Sequence, residues 1–319
     1  MQMMTSPRVS LIIIQYGNTE LLWNLLISLE RHADRELVSE VIVVNNGLAL
    51  GEECRAKLEA YKVLTIRVVD NSKKSYASGV NFGVAAAKGN MLIIANNDIE
   101  WIPNSSIRML IDHFQQDPLI CIVGPQLIYP NGNWQRSYGR FSSLREAIIS
   151  LAMFDSIWHG VLIAAFRYNW WFARKARAVD YVDGAFMVIK RHCFEEIGGF
   201  DESYTFYGEE MDFCWRAWKC GRKVVFIPNV KVMHIRGASS TTDALADYTI
   251  RLINAKQKFV KKNFGQRRAR LYGCLVQMAF FERYILYSFI AKLIRSPNWQ
   301  QRAFQAHARF QAVKGVGLC

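Results

Sequence analysis

Val9–Gln15 (VSLIIIQ) is an almost unbroken run of apolar and β-branched residues, the pattern of a strand covered on both faces of a sheet. Leu21, Leu22, Leu25, Leu26 and Leu29 then return at helical spacing, with Thr19 placed to cap the helix. Glu40–Val44, Leu64–Val69 and Met91–Ala95 repeat the strand pattern, and the Ala-rich stretch Ser75–Lys88 predicts a helix before the last of them. Strand, helix, strand at these intervals builds βαβ units on a mostly parallel sheet. Ligands of such sheets lie beyond the carboxyl ends of the strands. The polar residues there are Gln15-Tyr16, Asn45-Asn46, Asp70-Asn71 and Asn96-Asn97-Asp98.

The second half is patterned differently. Phe141–Val179 is rich in aromatic residues, including Trp158, Tyr168, Trp170 and Trp171, and ends near the basic cluster Arg174-Lys175-Arg177. Val179–Lys190 reads as strand interrupted by Asp183-Gly184, Gly198-Gly199 as a turn, and the residues from Glu209 through Trp218 as a helix. Lys223–Ile227 and Val230–Ile235 are two further strand candidates, the second carrying His234. Beyond a Ser/Thr-rich loop after Gly237 the chain is helical and basic. The expected organisation is an α/β catalytic domain over residues 1–240, with halves of about 1–125 and 126–240, and a helical extension over 241–319.

Composition narrows the class. A chain of 319 residues, 51% hydrophobic and 21% charged, can bury a large core. Its seven cysteines form no CxxC pair, which argues against a disulfide framework or zinc knuckle and for a reducing compartment. The N-terminus leads into a strand-like run without a signal pattern. The longest charge-free stretches, such as Ser156–Phe166 and Leu271–Phe281, are too short to span a bilayer. The expectation is a cytoplasmic protein, or one lying on a membrane surface.

Charge is unevenly distributed. The net +13 resides in Tyr248–Cys319, which has 14 Lys/Arg and only Glu282 as an acid, while the preceding residues sum to zero. Such a segment favours a polyanion, either anionic lipid or nucleic acid. Arg267, Arg268 and Arg270 precede the apolar, aromatic run Leu271–Ile294, an order that suits an interfacial anchor. Contact with nucleic acid would interleave basic and aromatic residues along a groove.

Three features carry chemistry. Asn96-Asn97-Asp98 at a strand end offers oxygen ligands to a hard divalent cation, although such residues also make ordinary turns. Glu209, Glu210 and Asp212 crowd one helical turn. The helix dipole and an Asp212–Arg216 pair explain part of this, and mutual repulsion would raise one carboxyl toward the range of a general base. His234 gains meaning only if the fold brings it to Asp98.

Taken in order, Val9–Asn18, Val41–Gly47, Tyr76–Gly83, Leu92–Asp98, Gly124–Ser137, Val182–Arg191, Gly198–Glu202 and Tyr207–Arg216 resemble bacterial family 2 glycosyltransferases, above all rhamnosyltransferase-like members that build surface polysaccharides. Pro228 to His234 extends the likeness, which covers about three-quarters of the chain. The resemblance implies a GT-A fold, with a mixed, mostly parallel sheet flanked by helices. It also implies inverting transfer of a hexose, rhamnose or another, from a nucleotide-diphosphate sugar to a glycan hydroxyl.

By the same resemblance, Asp98 and His234 hold Mg²⁺ or Mn²⁺. Glu210 is the base, where aspartate is usual, flanked by Glu209 and Asp212. Gln15, Tyr16, Asn45, Asn46, Asn71, Ser78, Asn81, Asn96 and Asn97 line the nucleotide-sugar site. Asp183, Gly184, Trp170 and Trp171 face the acceptor, which is polyprenyl-diphosphate-linked. The implied location is the inner face of the cell membrane, with oligomerisation left open. Asn45 departs from the family's usual Asp, and Leu48 from a small hydroxyl residue. The competing readings are an impaired homologue, a nucleic-acid-binding protein and a nucleotidyltransferase. The last would need a Gly- and Lys/Arg-rich phosphate loop where this chain has Tyr16-Gly17-Asn18.

Overall fold

A computed structural model describes residues 8–47, 50–103, 105–151, 175–235 and 242–315, with 242–246 as backbone alone. The first strands and helices are β1 (Val9–Gln15), α1 (Thr19–Glu30), β2 (Val38–Asn45), α2 (Glu52–Glu59), β3 (Ile66–Asp70), α3 (Tyr76–Ala86) and β4 (Met91–Asn96). Next come β5 (Ile99–Glu100), α4 (Ile107–Gln116), β6 (Ile120–Ile128), β7 (Tyr138–Gly139), α5 (Leu144–Leu151), β8 (Arg177–Ala178), β9 (Tyr181–Val182) and β10 (Phe186–Lys190). The remainder are α6 (Arg191–Ile197), α7 (Glu209–Lys219), β11 (Lys223–His234), α8 (Thr242–Phe264), α9 (Gln266–Ile294) and α10 (Pro297–Lys314).

Among the described residues the strands form a nine-stranded sheet in the order β3-β2-β1-β4-β10-β6-β11-β5, with β8 added against β11. β3, β2, β1 and β4 run parallel, β10 runs antiparallel between β4 and β6, and β11 is parallel to β6. The mixed, mostly parallel sheet expected from the sequence is present. Every residue of β1 is buried, because its two faces are covered by different helices. Leu11 and Ile13 share a core with Leu22, Leu25, Leu26 and Leu29 of α1. Ile12 and Val44 face α3 at Gly83, where a Cβ would lie 2.3 Å from the Ile12 methyl and 2.9 Å from that of Val44. Glycine therefore lets α3 settle onto the sheet. Asn18, not Thr19, caps α1, its Oδ1 accepting from the Glu20 amide at 2.8 Å. Thr19 is already in the first turn.

The two expected strands around Pro228 are one. β11 runs unbroken from Lys223 to His234, and its register against β6 jumps from Ile227↔Pro125 to Lys231↔Gln126. Proline cannot donate to a ladder, so the strand bulges there and re-pairs. The re-paired end places Met233 and His234 opposite Glu100 and Ile99 of β5.

The chain divides into two compact units, and not at a single cut near 240. The first contains Met1–Arg140, Arg174–Thr205 and Glu209–Arg236, and the second Phe141–Ala173, Phe206–Gly208 and Gly237–Cys319. In the second unit α5 packs on α9, with Arg283 Nη2 donating to the Ser150 carbonyl at 2.8 Å and Lys256 paired with Glu146 at 2.9 Å. Those contacts bind the start of the aromatic segment to the C-terminal helices. α9 is long and apolar enough to cross a membrane by length and composition. The charge-free stretches had suggested otherwise, but Glu282 and Arg283 do not outweigh the apolar residues on either side. Among the described residues the six cysteines are all free.

Gly83→Val should lower stability by about 1–3 kcal/mol, because the added methyls have nowhere to go without lifting α3 from β1 and β2. Urea denaturation followed by circular dichroism measures it. A variant as stable as the parent would contradict this packing.

Candidate active site

The carboxyl ends of β1 to β4 form a shelf of amide side chains, most of them committed to one another. Asn97 Nδ2 donates to Gln15 Oε1 at 3.0 Å, to the Tyr16 carbonyl at 3.1 Å and to that of Asn18 at 3.2 Å, tying the loop after β1 to the end of β4. Asn71 Nδ2 reaches Asn46 Oδ1 at 2.5 Å and Ser78 Oγ at 2.8 Å, binding the ends of β2 and β3 to the first turn of α3. Asn81 grips the loop after α6, donating to the Phe200 carbonyl at 2.9 Å and to Glu202 at 3.0 Å, and accepting from the Phe200 amide. These residues build the shelf. Tyr16, 66% exposed, is the one that offers a broad surface on it, and Asn96 is half-buried at the end of β4.

Asp98 follows β4, and the pairing of β5 with β11 brings His234 beside it. His234 Nε2 lies 3.2 Å from Asp98 Oδ1. That distance is a pair's, yet Oδ1 is a buried oxygen with no aligned hydrogen-bond donor. Gln135 holds the ring from its other side. Its Nε2 donates to the His234 carbonyl at 2.6 Å, which turns its Oε1 toward His234 Nδ1 at 2.9 Å. An acceptor there requires a proton on Nδ1, and the neutral ring then presents a lone pair at Nε2. With that tautomer two acceptors lie side by side, an arrangement that a cation held by both would satisfy.

The chemistry of this pair fits a divalent cation. Among the described residues no group of three His, Cys, Asp or Glu side chains could hold one. Two protein ligands with open positions match how Mg²⁺ and Mn²⁺ bind when phosphate oxygens complete the shell.

α7 opens with the acidic cluster, and its members diverge. Asp212 has no exposed surface and pairs with Arg216 at 2.8 Å. That guanidinium also donates to the carbonyls of Ile197 and Gly199 at 2.7 Å each, so Asp212 anchors the helix to the loop after α6. Glu209 is buried and Glu210 partly exposed. Gly184 abuts Glu210, since a Cβ on it would lie 3.4 Å from the Glu210 Cβ and 3.8 Å from the Tyr76 ring. Asp183 Oδ1 accepts from the Ala185 amide at 2.9 Å, shaping the turn that carries Gly184.

Tyr76 and Gln135 went unnoticed in the sequence. The Tyr76 hydroxyl donates to the Gly184 carbonyl at 2.5 Å. Burial, and then the carboxylates of Glu209, Glu210, Asp183 and Asp98, push it well above the usual tyrosine range. One hydroxyl is thus within electrostatic reach of both Asp98 and the acidic cluster. Nothing in a lone Tyr or Gln signals such a place before the fold is known. Trp170, Trp171 and Leu48 lie outside the described residues.

The family model described as glycosyl transferase family 2 matches residues 10–179, more than half of the chain. That of glycosyl transferase family group 2 matches residues 100–316. The chain is 29% identical over 160 residues, 48% of its length, to an N-acetylglucosaminyl-diphospho-decaprenol L-rhamnosyltransferase of Mycobacterium tuberculosis. It is 25% identical over 250 residues, 76% of its length, to an O-antigen biosynthesis protein of Myxococcus xanthus. These matches span only 49% and 18% of the relatives' own lengths.

Among solved structures, GalNAc-T7 with UDP, GalNAc and Mn²⁺ superposes with a TM-score of 0.63 at 16% identity, over 86% of this chain and 51% of that one. A mannosyltransferase from Pyrobaculum calidifontis with GDP-Man and Mn²⁺ gives 0.62 at 15% identity, over 99% and 88%. The fold is GT-A. From the matched length and the fold together, the chain belongs to glycosyl transferase family 2.

Proposed function

We propose that the chain transfers a hexose, rhamnose or another, from a nucleoside-diphosphate donor to a glycan hydroxyl with inversion, in the synthesis of cell-surface polysaccharide. The observation that carries this reading is the Asp98–His234 pair, two acceptors side by side with the ring held by Gln135. A divalent cation bound there supplies Lewis-acid neutralisation of the charge that builds on a leaving diphosphate. Asp98 contributes a carboxylate oxygen and His234 its Nε2 lone pair, while Gln135 holds the tautomer. Glu210 takes the proton of the attacking hydroxyl, a contribution of about 10²–10⁴-fold in general-base catalysis. Inversion needs one base and no paired acid, because a neutralised diphosphate leaves unprotonated. Glu209 and Asp183 shape the acceptor side around Glu210, and Asp212 keeps α7 in place.

A polyprenyl-diphosphate-linked acceptor is supported by the name of the mycobacterial relative, whose acceptor is decaprenol-linked. The second unit supports a membrane-surface location. Leu271, Met278, Phe281, Ile285, Phe289 and Leu293 of α9 are exposed and, at about 100° per residue, fall on one side of the helix. Arg267, Arg268 and Arg270 precede them, all exposed. An apolar stripe with a basic lead suits an anionic lipid surface better than it suits nucleic acid.

Glu210→Gln should bind nucleotide with Mn²⁺ as the parent does and lose transfer by about 10²–10⁴-fold, measured by calorimetry and product formation. Asp98→Ala should abolish metal-dependent nucleotide binding. Asp212→Ala should instead unfold early, losing about 3–5 kcal/mol for a broken buried pair, where Glu210→Gln melts normally. If Glu210→Gln turns over at the parental rate, the base is misassigned. Phe289→Asp with Leu293→Asp should weaken sedimentation with phosphatidylglycerol vesicles by about tenfold or more, and oligonucleotides should not compete. Undiminished vesicle binding would remove the stripe from the argument.

A further inference from the structure

The segment that carries Gln135 alternates strictly between inside and outside. Gln135, Ser137 and Gly139 are buried, whereas Trp134, Arg136 and Arg140 are exposed and Tyr138 is half-buried. Bridges at both ends, Trp134 to Ile128 and Gly139 to Tyr181, keep the chain between them extended, so alternate side chains share a face. The inward face is committed to the site. Gln135 holds His234. The Ser137 carbonyl accepts from the Asp183 amide at 2.9 Å, next to the turn that sets Gly184 against Glu210. The outward face therefore borders the site.

That face displays aromatic and basic groups in alternation. Trp134 is 59% exposed. Arg136 donates within the protein only from Nε, to the Tyr138 carbonyl at 3.2 Å. Among the described residues neither Arg136 nor Arg140 is ion-paired. Arg177 adds a third guanidinium, donating to the Tyr138 hydroxyl at 2.7 Å and lying 4.9 Å from the centre of its ring. No Asp or Glu occurs in the sequence between Asp117 and Glu146, so the segment has no carboxylate of its own to neutralise these arginines. Side chains two apart on an extended chain are spaced about 7 Å, within the span of a sugar ring and the phosphates on its anomeric carbon.

We infer that Trp134, Arg136 and Arg140 form the docking face for the acceptor, and that the acceptor is a sugar diphosphate. The indole covers the sugar ring, and the guanidinium forks hold the diphosphate. Charge selects this occupant. Glu209, Glu210 and Asp183 gather where the attacking hydroxyl must lose its proton, and they repel an anion. Arginines on the neighbouring segment give the diphosphate a place away from those carboxylates. A neutral glycan would use the indole and leave the guanidiniums without a partner. The inference rests on the glycosyl-transfer reading above and deepens it to the chemical class of the acceptor and the residues that bind it.

The test is calorimetric titration of the full chain with three probes sharing one tail: farnesyl-diphospho-N-acetylglucosamine, farnesyl diphosphate, and farnesyl N-acetylglucosaminide, which lacks the diphosphate. The diphospho-sugar should bind about tenfold or more tighter than the neutral glycoside. Arg136→Gln with Arg140→Gln should shrink that margin to within about threefold. Trp134→Ala should weaken both sugar probes by about tenfold while sparing farnesyl diphosphate. All three side chains are exposed, so the variants should melt as the parent does and bind UDP or GDP with Mn²⁺ as the parent does. An unchanged margin in the double arginine variant overturns the inference. So does a loss of nucleotide binding in that variant, which assigns the arginines to the donor. A parent that does not prefer the diphospho-sugar also overturns it, and leaves the transferase reading standing as long as UDP or GDP binds with Mn²⁺. Failure of nucleotide and acceptor probes alike brings down that reading itself.

Discussion

The Nδ1 proton of His234 has one place to go, the Oε1 of Gln135, and much of the site follows from it. Because Gln135 also donates to the His234 carbonyl, its amide cannot turn without losing two hydrogen bonds at once. The ring is therefore fixed in orientation and in tautomer, with its Nε2 beside Asp98. That placement requires β5 and β11 to pair just where the chain leaves β4. The bulge around Pro228 is part of the same constraint, since it sets the register in which His234 meets Ile99. A ligand pair held this firmly needs little reorganisation to receive a cation.

The amide shelf answers a different problem. Four parallel strands end at one edge, and their loops have few backbone partners of their own. Asn97, Asn71 and Asn81 each satisfy several carbonyl or side-chain acceptors in a neighbouring loop. An amide carries both donor and acceptor, so one side chain can fix two chain segments without introducing charge. This explains why a run of asparagines, which reads as ordinary turn chemistry, accompanies a ligand site here.

The βαβ half of the fold was legible because its strands are buried on both faces and so are written as apolar runs, as in β1 and β4. Local rules failed where two neighbours could do one job, as with Asn18 and Thr19 at the cap of α1. They failed again at β11, where a proline bulge resembles a break. The order of motifs pointed to Asp98, His234 and Glu210, and the fold brings the first two together. It places Tyr76 within reach of both the first and the third. What spacing could not show was Gln135 and Tyr76, whose importance comes from contacts across 99 and 108 residues of sequence. Nor could it separate Asp212 from its acidic neighbours, because burial and the Arg216 pair are properties of the folded helix. The association of Leu144–Leu151 with the C-terminal helices rests on packing and an ion pair that no composition shift announces.

Electrostatics joins these pieces. Glu209, Glu210, Asp183 and Asp98 all bear on the Tyr76 hydroxyl, and carboxylates gathered in this way would repel a nucleoside diphosphate. Asp98 and His234 would hold a divalent cation that reverses the sign on their side of the site, and Glu210 would remain the proton acceptor beside Gly184. At the other end of the shelf the charge is already cancelled, with Asp70 matched by Arg55 and Asn45 neutral. Attraction for an anionic donor would therefore be concentrated at the Asp98–His234 end. On the proposed function, binding and chemistry would then share one requirement, because the ion that admits the donor would also neutralise its departing diphosphate.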